Sequence, residues 1–530
     1  MRVSAKSALA LSSSDVRPIV RARLREIFGA DVRSLAVMRI GAAMVVIADL
    51  FQRLPALRAH YTDQGVLPRA LLETMDAGWS VYRLTGSFAG IGVLWGIALV
   101  FALGLLLGFR TRFAAVACWV LLVSLQNRNP FVYHSGDDLL RLTLFWGMFL
   151  PLGRQWSIDA RQRRPADACP GQVVSVGTVG WFLQIFCLFV FLFDHKLLGN
   201  AWRNGTAVYY ALSVEQFRAS FGTLLLGFPR LLPFLTHAIL IQQGLTLVLL
   251  ATPFLIGPSR VIAIVGVIAT QIGFGLCFQL GTFPWIMSIA ILALLPAWFW
   301  RKLECFTRSG PASFPAAEAN KLSSSADAWR EIAMKIARAG MIAFGGFSIL
   351  AIVLWNLSQA GATFQLDGRD VGLEETLLGR LARTLRLDQR WSMFAPNPQT
   401  EDGWFVLEGK LSSGATIDLF PDLVSGHVDG AAMDLALARG LHWEKPPLIS
   451  QTFSGHRWLL FFLELALAER PSQVQIRGLS EYICRFWNGS IGPPQSLLKF
   501  TLYYLRFEHL PENRTTPVER VQIRAHECAR

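Results

Sequence analysis

Three ionisable residues in succession, Asp194, His195 and Lys196, close an otherwise apolar run (VGTVGWFLQIFCLFVFLFDHKL), and Trp202 and Gly205 follow. A lysine kept dry and without a carboxylate partner is the form of that side chain that serves as a base. At about 100° per residue, Lys196 shares a helix face with Ile185, Phe189 and Leu192, so it ends an apolar stripe. His195 shares a face with Gln184 instead. The competing reading makes Lys196 an interfacial anchor that reaches up to water beside Asp194. A second polar cluster, QNRNPFVYHSGDDLLR, carries His134, Asp137, Asp138 and Arg141. Ser135 is expected to cap the helix that follows, with Asp138 completing a capping box. Asp137 and Asp138 precede Arg141 by four and three residues, which suits ion pairing along one helix face. His134 is left without a structural role. Trp202 reads as an interfacial aromatic.

The elements that must position these groups are membrane helices. Of 530 residues, 53% are hydrophobic and only 16% charged, and the mean hydropathy is +0.40. Runs near the length that spans a bilayer core are expected at Leu35–Leu54, Gly86–Leu107, Phe113–Leu125, Leu139–Leu152, Val176–Lys196, Leu232–Leu255, Val261–Leu280, Thr282–Trp300 and Ala339–Leu357. The expected fold is an all-α polytopic membrane helix bundle of about nine spans, some short or re-entrant, plus a small C-terminal soluble α+β domain. Its parts are a cytoplasmic tail (1–32), the bundle (33–302), a cytoplasmic linker (303–338), a last membrane helix (339–357) and an extracytoplasmic domain (358–530). Within that domain, Val371–Leu387 reads as helical, WFVLEGK–LSSG–ATIDLF as a hairpin and FTLYYLRFEHL as a strand. The run Trp458–Ala468 is too short to span and reads as a core or interfacial helix.

The formal charge of +13 does not point to nucleic acid, because no basic patch alternates with stacking aromatics. Arg and Lys instead collect in alternate loops, which makes that face cytoplasmic. The N-terminus is then cytoplasmic and an odd span count puts the C-terminal domain outside, as in a bacterial inner-membrane protein. Cys484 and Cys528 would fall in the oxidising compartment, where a disulfide can persist; their pairing stays open. No cysteine or histidine spacing suits a metal, so none is expected. Ionisable groups inside spans are costly, about 2.5–3.5 kcal/mol at the helix centre. Arg39 suits snorkelling to the basic face, whereas Asp49 calls for a pair.

Several stretches resemble the horizontally transferred transmembrane (HTTM) family, which includes the vitamin K-dependent gamma-glutamyl carboxylase. They are RIGAAMVVIADLFQRL with YTDQGVLPR, QNRNPFVYHSGDDLLRLTLFWGMFLPLG, HKLLGNAWRNGTAVYYAL and QLGTFPW, in the family's order over most of residues 33–300. QRWSMFAPNPQTEDGW and YICRFWN are similar to a tail seen on some bacterial members. The resemblance implies a quinol-dependent, carboxylase-like reaction at the outer membrane face. There, a lysine before W-x-x-G, matched by Lys196, deprotonates a reduced naphthoquinone, and His134 matches a histidine that stabilises the intermediate. Lys196 and His134 are thus the catalytic candidates; His195, Asp137, Arg141, Trp202 and Gln271 are candidates for substrate binding. Gln271 stands where bacterial relatives often carry a histidine, and Gln242 or Gln243 where they carry a glutamate. The implied cofactor is a reduced quinone. The implied partners are the lipid bilayer, a hydrophobic quinone and a protein or peptide substrate, with no nucleic acid. The alternative is a non-catalytic membrane protein that binds lipid or assists maturation or transport of an envelope partner. A transporter is weaker still, for lack of broken spans repeated in two halves.

Overall fold

In the computed structural model the described residues are 22–75, 77–163, 171–307, 325–361, 363–366, 369–427, 440–467, 472–491 and 495–528. Side chains with a free acceptor stand where apolar runs begin, and there the long helices start. Asp31 accepts the Arg33 N–H at the head of α1 (Val32–Arg53), and Ser87 accepts the Gly90 N–H at the head of α2 (Phe88–Leu107). α3 (Thr111–Arg128) and α4 (Ser135–Gly147) follow. Ser175 and Thr178 satisfy each other's backbone at the head of α5 (Val176–Leu197). α6 (Leu231–Ala251), α7 (Ile256–Cys277), α8 (Phe283–Leu292), α9 (Ala297–Thr307) and α10 (Ser325–Gln359) complete the bundle.

Among the described residues six helices are long and apolar enough to cross a membrane, or seven if α8 and α9, bent by 89°, count as one broken span. The protein is therefore a multi-pass membrane protein, with fewer full-length candidates than the nine expected. α4 is too short at 13 residues, because the chain leaves the helix before the apolar run Leu139–Leu152 ends. α3 closes on Ser124, Gln126, Asn127 and Arg128, all buried, so its last turn is polar. The expected linker is helical at both ends, in α9 and α10; its middle, 308–324, and most of the N-terminal tail lie outside the described residues.

The C-terminal part carries the expected hairpin and closing strand. β1 (Glu401–Leu411), β2 (Thr416–Asp418), β3 (Leu497–Glu508) and β4 (Glu519–Glu527) form one antiparallel sheet in the order β2-β1-β3-β4. The run around Trp458 forms α11 (His456–Leu467), whose Phe462 packs 5.0 Å from Phe405 of β1, with Glu464 turned to solvent. α12 (Gln473–Ser490) is tied to the end of β4 by a disulfide between Cys484 and Cys528. Of the remaining cysteines, Cys118, Cys187 and Cys277 are free and buried.

Two local expectations change. His134, not Ser135, caps α4: its Nδ1 accepts the Gly136 N–H at 2.9 Å, and Asp137 returns the bond by accepting the His134 N–H at 3.0 Å. Arg39 does not snorkel; it is fully buried and donates to the Trp156 carbonyl at 2.6 Å. A loop folded over that end of the bundle supplies the acceptor that water would otherwise provide.

Candidate functional site

Lys196 lies on the buried face of α5, as its spacing from Ile185, Phe189 and Leu192 requires, and is 2% exposed. Its Nζ donates to Gln243 Oε1 at 3.1 Å and sits 4.6 Å above the centre of the Trp202 ring. Among the described residues no carboxylate lies within ion-pair distance of it. Asp194 is exposed on the other side of the helix. His195 turns its Nδ1 to the Phe191 carbonyl at 2.5 Å, one turn back along its own helix, and lines none of the cavities described below. Gln271 shares the wall around Lys196, and its Oε1 is buried without a hydrogen bond. Directly beside the amine is a space of only ≈10 Å³, room for about one water.

Two larger cavities flank it. A chamber of ≈360 Å³ is lined by His134, Ser135, Phe283, Met393, Phe394 and His456, among others. A groove of ≈540 Å³ runs between α6 and α7, walled almost wholly by apolar side chains such as Val208, Leu235, Ile239 and Phe274. Phe394 borders both cavities and the small space at Lys196, while Phe283 and Met393 are common to the chamber and that space. The structure thus brings His134 and Lys196 to the two sides of one aromatic partition.

That partition belongs to a strap, residues 386–399, which the sequence places after the last membrane helix. Polar groups in the bundle receive it. Arg141 donates to the Asp388 carbonyl at 2.5 Å while pairing with Asp138 at 2.8 Å. Gln184 donates to Gln389 Oε1 at 2.6 Å, and Trp355 to the Gln389 carbonyl at 3.1 Å. Trp202, 2% exposed and so not an interfacial aromatic, donates to the Phe394 carbonyl at 2.7 Å. The Ala201 N–H meets Asn397 Oδ1 at 2.9 Å. Gly199 permits this approach, since a Cβ there would stand 1.6 Å from the Pro396 carbonyl oxygen.

Asp137 faces away from Arg141. It pairs with Arg53 at 2.8 Å and with Arg457 at 2.6 Å, and Asp49 joins the same two guanidiniums at 2.7 and 2.5 Å. The pair that Asp49 calls for is therefore present. The residues missed by sequence reasoning are Arg53 of α1 and, C-terminal to the bundle, Met393, Phe394, His456 and Arg457. The buried Asp49 signalled a missing cation; helical spacing offers Arg53, four residues on, but nothing in the sequence pointed to Arg457.

His134 and His456 meet at right angles, ring centres 5.1 Å apart. Gly281, at φ +60°, lies beneath them, and a Cβ there would come 2.9 Å from His456 and 3.0 Å from His134. Both φ and space demand glycine. Burial pushes the His134 imidazole down to about 4, so the ring is neutral near pH 7. Because its Nδ1 accepts from Gly136, its proton resides on Nε2, which makes no hydrogen bond, the Asp137 carboxylate lying 3.9 Å away. Among the described residues no group of three or more His, Cys, Asp or Glu side chains is placed to hold a metal ion.

The family model described as the HTTM domain matches residues 29–300. No curated protein and no solved structure matches the chain.

Proposed function

The chain belongs to the HTTM family, and on that premise we propose that it is a membrane enzyme that uses a reduced lipid quinone, with Lys196 as the base and His134 as the oxygen ligand. The observation that carries this reading is a fully buried lysine, matched by an amide and an indole face rather than by a carboxylate, beside cavities of ligand size. Buried charges without such compensation are otherwise rare in membrane helices.

A quinol would supply reducing electrons and an acidic hydroxyl. The chamber and the groove fit such a molecule; the space directly at Lys196 does not, so contact with the amine requires Phe394 or Met393 to move. Gln243 Oε1 orients the amine through its N–H. The Trp202 face stabilises the ammonium after it gains a proton, an interaction of about 2 kcal/mol when desolvated. His134 lines the chamber with its proton on an Nε2 that makes no hydrogen bond, so a developing oxyanion there would be met by a preorganised donor. Its neutral state is the one in which Nδ1 can keep its bond to Gly136. The concentration of Arg and Lys at the opposite end of the bundle, together with the Cys484–Cys528 bridge, supports a cytoplasmic N-terminus and an extracytoplasmic site.

Purified protein in lipid nanodiscs, given a reduced naphthoquinone and oxygen, should consume the quinol, and Lys196→Ala should abolish turnover while the fold survives. Wild-type turnover in that variant would remove the lysine from the mechanism.

One observation favours the non-catalytic reading: the space at Lys196 holds about one water, and amides occupy its polar wall. In that case the chain binds lipid or assists an envelope partner. Its signature is an unchanged quinone pool together with a partner recovered by crosslinking.

A further inference from the structure

His456 lies outside the matched domain, 322 positions after His134 in the chain by subtraction of their numbers. It opens α11, yet its ring enters the same chamber as His134. The two rings stand perpendicular at 5.1 Å, and Gly281 gives up a side chain where they meet. His456 Nδ1 is buried and has no hydrogen bond, and the same is true of His134 Nε2. Such orphaned nitrogens are expensive inside a protein unless a ligand completes them. The remaining chamber wall is mostly apolar, with Phe217, Leu280, Phe283, Phe394 and Leu460.

We propose that His456 is a second ligand-binding imidazole, and that His134 and His456 together hold an oxygen-bearing head group of a flat, apolar molecule of the quinone or hydroquinone class. It rests on the reading of this chamber as the substrate site, and it makes the C-terminal domain part of that site. His134 supplies a donor, fixed by Gly136. His456 can donate or accept at Nδ1 according to its tautomer, so the pair accommodates either a carbonyl or a hydroxyl. The neighbouring charges are already matched: Arg457, next in sequence, is paired with Asp49 and Asp137. Ser135, Ser392, Asn397 and Gln399 also line the chamber, but the imidazole nitrogens His134 Nε2 and His456 Nδ1 are the ones buried there without a hydrogen bond.

The test uses the full chain in nanodiscs with two probes of similar shape, menadione and methylnaphthalene, which lacks the oxygens. Binding is read from quenching of intrinsic tryptophan fluorescence. Wild type should bind menadione about tenfold more tightly than methylnaphthalene, and His456→Phe should lose about that factor for menadione alone. His456→Gln, which keeps a hydrogen-bonding group, should recover most of it. Equal affinity of His456→Phe and wild type for menadione would overturn the proposal. So would an equal loss of both probes, which would mark a packing role. If His456→Phe does not fold, His456→Gln and His456→Leu carry the same comparison. A protein that turns over no quinol but keeps the menadione preference would sink the enzymatic reading and leave this one standing.

Discussion

Arg457 of the C-terminal domain grips Asp137 of α4 with both terminal nitrogens, at 2.6 and 2.9 Å. The same side chain reaches Asp49 at 2.5 Å, and Arg53 closes the ring from α1. Two carboxylates and two guanidiniums are thus buried as a neutral cluster, and one of the four comes from a domain hundreds of residues away in the chain. Asp137 also holds the backbone N–H of His134, so the cluster fixes the head of α4 on which that imidazole depends.

Removing Arg457 should therefore cost more than a surface ion pair would. Arg457→Leu leaves two buried carboxylates facing one guanidinium, and breaking such a cluster costs about 3–5 kcal/mol. The expected result is a large drop in the thermal unfolding midpoint in detergent. Arg457→Lys keeps the charge but cannot grip in two places, and should fall between that variant and wild type. A change in Arg457→Leu no greater than that of an exposed arginine variant would show the cluster to be unimportant.

The paired histidines set a pH dependence. Desolvation lowers both rings: His134 to about 4, partly offset by Asp137, and His456 well below the usual imidazole value, with His134 and Arg457 adding to the effect. An unfolded histidine takes its proton near 6.5. As pH falls, the unfolded chain is protonated first, so the stability of the neutral buried His134 ring is complete above 6.5 and is lost between about 6.5 and 4, and His456 acts in the same direction. The slope is roughly 1.4 kcal/mol per pH unit for each ring in that window. Unfolding midpoints measured across it should fall with acid, and fall less steeply in His134→Gln. An equally steep fall in that variant would place the titrating group elsewhere.

How much of this was legible beforehand follows from where the partners lie. The dry orientation of Lys196 was readable because Ile185, Phe189 and Leu192 sit on its own helix, and helical period alone fixes their common face. The hairpin of β1 and β2 was readable from strand alternation around a Ser-Gly turn. The receiving roles of Arg141 and Gln184 were not, since Asp388 and Gln389 are joined to them only by tertiary folding. A polar residue in a span announces that it needs a partner without naming it. The length of α4 was misread for a related reason: hydropathy registers Leu139–Leu152 as one apolar run and cannot see that its last residues leave the helix.

The Cys484–Cys528 bridge closes a separation of 44 residues between α12 and the end of β4. On the chain-entropy account a loop of that size contributes about 4 kcal/mol. Cys528→Ser should lower the unfolding midpoint and release a thiol at Cys484 that a maleimide reagent detects. In intact cells a membrane-impermeant maleimide should reach that thiol if the domain is extracytoplasmic. Labelling only after permeabilisation would reverse the orientation.

Phe394 provides the most direct handle on access to Lys196. Its backbone adopts φ +54°, a region unfavourable for a bulky side chain at about 1–3 kcal/mol, and the Trp202 N–H bonded to its carbonyl helps hold it there. The ring packs 5.3 Å from Phe278 and borders all three spaces around the site. Phe394→Ala should merge those spaces without touching the lysine. An apolar amine-reactive reagent, followed by peptide mass spectrometry, should then modify Lys196 at least several-fold faster than in wild type. Phe394→Leu, which fills most of the volume, should stay close to the wild-type rate. If the alanine variant reacts no faster, the aromatic partition does not control the route to the amine, and Met393 becomes the side chain that must move.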